Sequence, residues 1–296
     1  MTAPNRIGII SMFYARPFGP MHLAMFSRMK AAGAEFVELL VPEEGELDLA
    51  VTRSALASAG LGVALAARVN LQRDLASIDD DVHAAGVAYL ERCVDVAVAL
   101  GATLVGGPLY GAPLVFAGRM PAPVSEELRA RRIDRVIAGL KRAAAYAAPR
   151  GVTFGLEPLN RFETDIANTT RHGLALVEAV NAPALGVMLD TFHMNMEDPD
   201  IPAAIRRAGS RIVHFQANEN DRGFVGSGHL DWPAIARALA SVGYRGPITL
   251  EPFRRDDERP GVPLAQWRAP ARDYDPELAA SIGFLRATLD SAWRTR

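Results

Sequence analysis

Eight short apolar runs, each followed by a longer amphipathic stretch, constrain the fold of this chain more than any other feature. They are RIGIISMF (6–13), EFVELLV (35–41), LGVALAARV (61–69), TLVGGPLY (103–110), TFGLEPL (153–159), LGVMLDTF (185–192), RIVHFQA (211–217) and PITLEPF (247–253). Near-continuous hydrophobicity over so few residues is what parallel strands show when helices cover both faces of their sheet. The stretches between them read as helices. SEELRARRIDRVIAGLKRAAAYAAPRG has Gly151 placed to end it, and HLDWPAIARALASVGYRG has Asp231 as a candidate N-cap with Pro233 in the first turn. Eight strands alternating with helices in 296 residues predict a (β/α)8 TIM barrel, a single α/β domain over residues 1–296. A doubly wound sheet would carry a glycine fingerprint after its first strand, and SMFYARPFGP has none. The irregular segment 254–275 has the length of a lid after the last strand.

Composition narrows the functional classes. A net charge of −2 gives no electrostatic footprint for nucleic acid or an anionic membrane. No run approaches the roughly 18–20 apolar residues of a membrane helix, and the first residues lack a signal-peptide pattern. The single cysteine, Cys93, excludes an intrachain disulfide and a cysteine metal cluster, and its setting in GVAYLERCVDVAVALG predicts a small buried residue. A cytoplasmic protein is the expectation.

In a barrel of this kind the active site lies at the C-terminal ends of the strands, which turns strand ends into a shortlist. The fifth strand ends with Glu157, the sixth with Asp190 and His193, the seventh carries His214 and Gln216, and the eighth carries Glu251. Glu157 and Glu251 each sit inside a hydrophobic run and are followed at once by proline. One such acid is explained by an arginine or lysine partner. Acids converging from several consecutive strands would repel one another unless a divalent cation lay between them, and that shared cation is the predicted arrangement.

These stretches resemble the xylose isomerase-like sugar epimerases, in the D-tagatose and D-psicose (ketose) 3-epimerase branch. The resemblance is close over EPLNRFETDIANT (157–169), GVMLDTFHMNMED (186–198), ANENDRGFVGSGHLDW (217–232) and ITLEPF (248–253), and weaker echoes extend it over nearly the whole chain. It implies that Glu157 and Glu251 are metal ligands and also the catalytic acid–base pair, with Asp190 a further ligand. It also implies that Glu163, His193 and Arg222 contact substrate. The family's remaining ligand is the second histidine of a His-Phe-His segment, which here reads His-Phe-Gln. Gln216 falls at the ligand position and His214 one layer deeper. An amide oxygen suits a hard cation, so Mn²⁺ is the expected ion, with Mg²⁺ or Co²⁺ as alternatives. A second departure is Asp165, where many relatives carry an aromatic residue.

The implied activity is metal-dependent ketose 3-epimerisation, or a related sugar isomerisation, by proton transfer through a cation-stabilised enediolate. Two alternatives stand beside it. One is a lyase that cleaves an oxidised sugar by β-elimination through the same enediolate. The other is a sugar-binding relative altered by the loss of the histidine. The expected partner is a small-molecule sugar, with no nucleic acid or membrane, and the expected assembly is a homodimer or homotetramer. No Lys/Arg cluster for a phosphate is evident near the strand ends, which points to an unphosphorylated substrate.

Overall fold

The structure, a computed structural model, describes residues 2–112, 124–253 and 274–295. All eight apolar runs form strands: β1 (Ile7–Ile10), β2 (Phe36–Leu40), β3 (Gly62–Ala66), β4 (Leu104–Gly107), β5 (Thr153–Leu156), β6 (Leu185–Asp190), β7 (Ile212–Ala217) and β8 (Ile248–Leu250). They are parallel and close into a barrel in chain order, β8 pairing back onto β1. Most of the observed strands stop short of the apolar runs. Ser11–Phe13 turns into a 3-10 helix, and Pro158 and Pro252 cannot extend a ladder beyond the glutamate before them.

Among the described residues, nine α-helices surround the barrel: α1 (Met25–Ala31), α2 (Leu49–Ala59), α3 (Asp80–Leu100), α4 (Glu126–Ala147), α5 (Thr170–Val180), α6 (Thr191–Glu197), α7 (Ile201–Ala208), α8 (Trp232–Ser241) and α9 (Asp275–Arg294). Their ends follow the sequence. The Asp231 side chain caps α8 by accepting from the Ala234 N–H at 2.9 Å, with Pro233 in the first turn. Gly151, at φ 68°, ends the short 3-10 turn that follows α4. On α3 the residues Val87, Leu90, Val94 and Ala97 recur at helical spacing and are buried. Each of the larger three contributes on the order of 1.5–3 kcal/mol by leaving water. Cys93 lies on this helix, fully buried, and burial pushes its thiol up to about 12. No helix among the described residues is long and apolar enough to cross a membrane.

The barrel interior is built in layers. Phe36, Ala64 and Leu104, with Val213 against them, form an apolar cluster separate from the main core between barrel and helices. Next to it the interior turns polar: Glu38 on β2, His214 and Gln216 on β7, Thr249 on β8 and Asp190 on β6 are all buried. Gly106 makes room for this layer. A Cβ there would lie 2.5 Å from the Met188 sulfur and 3.5 Å from the His214 ring. Of the segment 254–275 expected as a lid, residues 254–273 lie outside the described residues.

Candidate functional site

Asp190 is at once the last residue of β6 and the N-cap of α6. Its Oδ1 accepts from the Phe192 N–H at 2.8 Å and from the Asn218 amide at 2.9 Å, and its Oδ2 faces His193 and Arg222. The first turn of α6 then carries His193 back over Asp190, three residues on, with its Nε2 3.6 Å from Asp190 Oδ2. The same nitrogen lies 3.6 Å from Glu157 Oε1. Glu157 sits one residue beyond β5, where its N–H still bonds the Gly107 carbonyl of β4 at 3.0 Å. Glu157, Asp190 and His193 thus form a buried cluster whose ligand atoms all lie within 4.8 Å of one another.

Arg222 reaches this cluster from the loop after β7. That loop is folded around a buried carboxylate. Glu219 accepts from the Trp232 indole at 2.6 Å and from the Gly226 N–H at 2.8 Å. Arg222 adopts φ 61°, a left-handed conformation uncommon for a residue with a side chain, and its carbonyl accepts from the Phe253 N–H at 2.8 Å. The guanidinium lies between the rings of Phe192 and Phe253, 4.2 and 4.3 Å from their centroids. Its Nη1 donates to Asp190 at 2.7 Å and to Glu251 at 2.6 Å. One cation therefore ties the sixth strand end to the eighth.

His193 is oriented by Asn160, whose backbone N–H donates to Nδ1 at 3.0 Å. Arg222 Nη2 faces the other ring nitrogen, Nε2, at 2.9 Å, so donors approach both sides of the imidazole. The guanidinium is held by the carboxylates and the rings as well. Asn160 Nδ2 in turn donates to Glu163 at 2.9 Å, which brings Glu163 to the wall of the same cavity. The cavity, about 560 Å³, is lined by Glu157, Asn160, Glu163, His193, Arg222 and Glu251 on this side. Its far wall carries Arg68 and Arg73, placed there by the chain after β3. Arg68 pairs with Glu46 at 2.6 Å, and Arg73 donates to both oxygens of Glu43.

On β7, Gln216 is level with Asp190 of β6 and Thr249 of β8. Its Nε2 donates to Glu38 at 3.2 Å, while its Oε1 is buried without a hydrogen-bond partner. His214 Nε2 lies 2.9 Å from the same Glu38 oxygen, one layer below.

Too many acids share this volume for their charges to coexist unaided. Burial, then the like charges of Asp190 and Glu251, push the Glu157 carboxyl well above its usual range. Burial likewise pushes Glu251 up to about 8, although Arg222 pulls the other way. Burial works against the charge on Arg222, but Asp190 and Glu251 outweigh it and raise its pKa. Burial and then Arg222 lower that of His193, which keeps the imidazole neutral. Three carboxylates and one guanidinium leave a deficit of positive charge. A hard divalent cation fits that deficit, the oxygen-rich donor set and the unpartnered amide oxygen of Gln216.

The countercharge role of Arg222 has a measurable consequence. Arg222→Met keeps an unbranched side chain between the rings but removes the charge, so the cation-stripped protein is expected to lose on the order of 3 kcal/mol. With saturating Mn²⁺ the loss should be much smaller. Urea unfolding with chelator and with Mn²⁺ measures both, and equal losses would remove Arg222 from this role.

The structure therefore brings Glu157, Glu163, His193, Arg222 and Glu251 to one cavity, places Asp190 beside it in contact with Arg222 and His193, and sets Gln216 level with Asp190. His193, expected to contact substrate, also offers a nitrogen within the same cluster as the Glu157 and Asp190 oxygens. Asp165 faces outward: Arg132 of α4 grips both its oxygens, at 2.7 and 3.2 Å, so it anchors the 160–168 loop. Sequence reading missed Glu38, Asn160, Glu219 and the two rings around Arg222. Glu38 alone offered a signal, an acid inside the apolar run FVELL.

Comparison with known proteins agrees with this geometry. Residues 26–287 match the family described as the xylose isomerase-like TIM barrel. The chain is 33% identical to the L-ribulose 3-epimerase of Methylomonas sp. over 86% of its length and 87% of the relative's. It is 30% identical to the D-psicose 3-epimerase of Agrobacterium fabrum, over 93% and 95% of the two chains. A solved L-ribulose 3-epimerase superposes with a TM-score of 0.89 at 31% identity, covering 98% of this chain and 96% of the other. The chain belongs to the xylose isomerase-like TIM barrel family, among relatives that are ketose 3-epimerases.

Proposed function

We propose that the protein is a metal-dependent ketose 3-epimerase acting on free sugars. The observation that carries this reading is the pair of buried glutamates, Glu157 after β5 and Glu251 after β8, that line one cavity with Asp190 between their strands. Epimerisation beside a carbonyl removes a carbon-bound proton from one face and returns one to the other. Two carboxyls whose pKa values burial raises suit the two halves of that task.

Glu157, Asp190, Gln216 and Glu251 would hold the cation, with Mn²⁺ the favoured ion. When bound, it would polarise the ketose carbonyl and so acidify the adjacent C–H. One glutamate then takes the C3 proton, the C3–H electron pair becomes the C2=C3 bond, and the carbonyl π pair moves onto the C2 oxygen, giving an enediolate. The other glutamate donates a proton to C3 from the opposite side, and the two exchange roles for the opposite epimer. His193 stands beside the oxygen on which negative charge develops and helps position it, and Arg222 donates to it and offsets that charge. Glu163, oriented by Asn160, accepts from a sugar hydroxyl. The arginines of the far wall are already paired with Glu43 and Glu46, which favours an unphosphorylated sugar.

The test is a panel of free ketoses incubated in D₂O with Mn²⁺, Mg²⁺ or Co²⁺ after chelation, followed by NMR. Deuterium at C3 together with a new epimer supports the proposal. Loss of water from an oxidised sugar would assign β-elimination, and binding without exchange would make this an altered sugar-binding protein.

A further expected result concerns the departure on β7. Gln216→His should raise affinity for Co²⁺ and Zn²⁺ by about tenfold, more than for Mn²⁺, because imidazole suits the softer ions. Competition titration measures this. An unchanged preference would place residue 216 outside the coordination shell.

A further inference from the structure

We propose that Glu38 is a positioning residue that orients the Gln216 amide so that its oxygen, not its nitrogen, is presented to the cation site. This rests on the reading of Gln216 as a ligand. Glu38 lies in the middle of β2, fully buried, and β2 stands across the barrel from β7. Its Oε2 meets two side chains from β7, His214 Nε2 at 2.9 Å and Gln216 Nε2 at 3.2 Å. Glu38 Oε2 accepts from the Gln216 Nε2, so the amide presents its NH₂ to Glu38. The carbonyl oxygen must then face away, and Oε1 is the atom of Gln216 left without a partner.

An amide is ambivalent in a way that imidazole and carboxylate are not: turned over, it offers a metal two hydrogens instead of a lone pair. A glutamine at a ligand position therefore needs something that forbids the wrong orientation. Glu38 does this, and His214 holds Glu38. The His214 ring has the space that Gly106 leaves and a further contact from Thr249 Oγ1 at 3.3 Å. The arrangement matches what metal-ligating side chains require generally, a partner on the atom that does not bind.

Glu38 Oε1 is also unpartnered, so the rival is that Glu38 touches the cation itself or acts through its charge alone. A double-mutant cycle separates these. Mn²⁺ affinity is measured on the full chain, by electron paramagnetic resonance of the free ion, for wild type, E38Q, Q216A and E38Q/Q216A. E38Q removes the accepting carboxyl and lets residue 216 turn over. Each single variant is expected to weaken Mn²⁺ binding by about 10–100-fold, and the double variant to bind no worse than Q216A. Penalties that multiply in the double variant, or wild-type affinity in E38Q, overturn the proposal. Wild-type affinity in Q216A would instead overturn the reading of Gln216 as a ligand.

A second measurement needs no stable Glu38 variant. The chain has three glutamines, Gln72, Gln216 and Gln266, so selective ¹⁵N labelling yields three side-chain amide pairs, with Q216A assigning one. In cation-free wild type the Gln216 amide protons should exchange with solvent at least tenfold more slowly than those of exposed Gln72. They should also keep that protection when Mg²⁺ is added. Protection lost on adding Mg²⁺ would mean that the amide turns over on binding, and the proposal would fall.

Discussion

Exhaustive chelation is expected to abolish exchange of the substrate's C3 proton, and added Mn²⁺ to restore it. Glu157, Asp190 and Glu251 share one buried volume, and among the described residues around them the guanidinium of Arg222 is the permanent positive charge that contacts two of the three. A weakly acidic C–H is not removed at a useful rate without polarisation of the neighbouring carbonyl. Losing several kcal/mol of that stabilisation lowers the rate by about 10³-fold or more. Full activity after chelation would mean that the acid cluster has been misread.

Stability should follow the same groups. In the cation-free protein Glu251 is raised to about 8 and Glu157 is raised too, above the ordinary value of about 4.3 in an unfolded chain. A carboxyl raised on folding contributes stability that is complete below the unfolded value and is lost as pH climbs through the folded one. The Tm of the cation-free protein should therefore fall from pH 5 to pH 9. Mn²⁺, which binds the ionised forms, should raise it most at the alkaline end. Calorimetry across that range with chelator and with Mn²⁺ decides it, and a flat cation-free profile would contradict the raised carboxyls.

The second large effect is expected from Glu251→Gln. The variant keeps an oxygen that can accept from Arg222 and bind the cation, and it keeps the size of the side chain. What it loses is the capacity to give and take a proton, worth about 10²–10⁴-fold in turnover. Mn²⁺ should remain bound, detectable by its paramagnetic signal, while C3 exchange falls by that factor. Near-normal turnover would remove Glu251 from proton transfer. Loss of Mn²⁺ along with turnover would show that its role is coordination first.

The barrel was legible in the sequence because its signal is local. Eight buried parallel strands must each read as an apolar run, and every such run became a strand. The acids at strand ends were legible for a related reason: a carboxylate inside an apolar run followed by proline has nowhere to go but the barrel mouth. Strand limits were less so, since Ser11 and Phe13 are as buried as the strand before them yet hydrogen-bond in a 3-10 turn. What the tertiary structure alone decided were partnerships across long separations. Glu38 meets His214 and Gln216 at 176 and 178 residues' distance along the chain, and Arg222 meets Asp190 and Glu251 from a loop shaped by Glu219. Asp165 read as a departure from the family pattern, and the structure shows it binding Arg132 on the outer helix α4. Hydrophobic periodicity reports which face of an element is buried, because burial acts on each residue separately. Which buried acid finds which base depends on how the closed barrel sets strand against strand, and no local pattern carries that information.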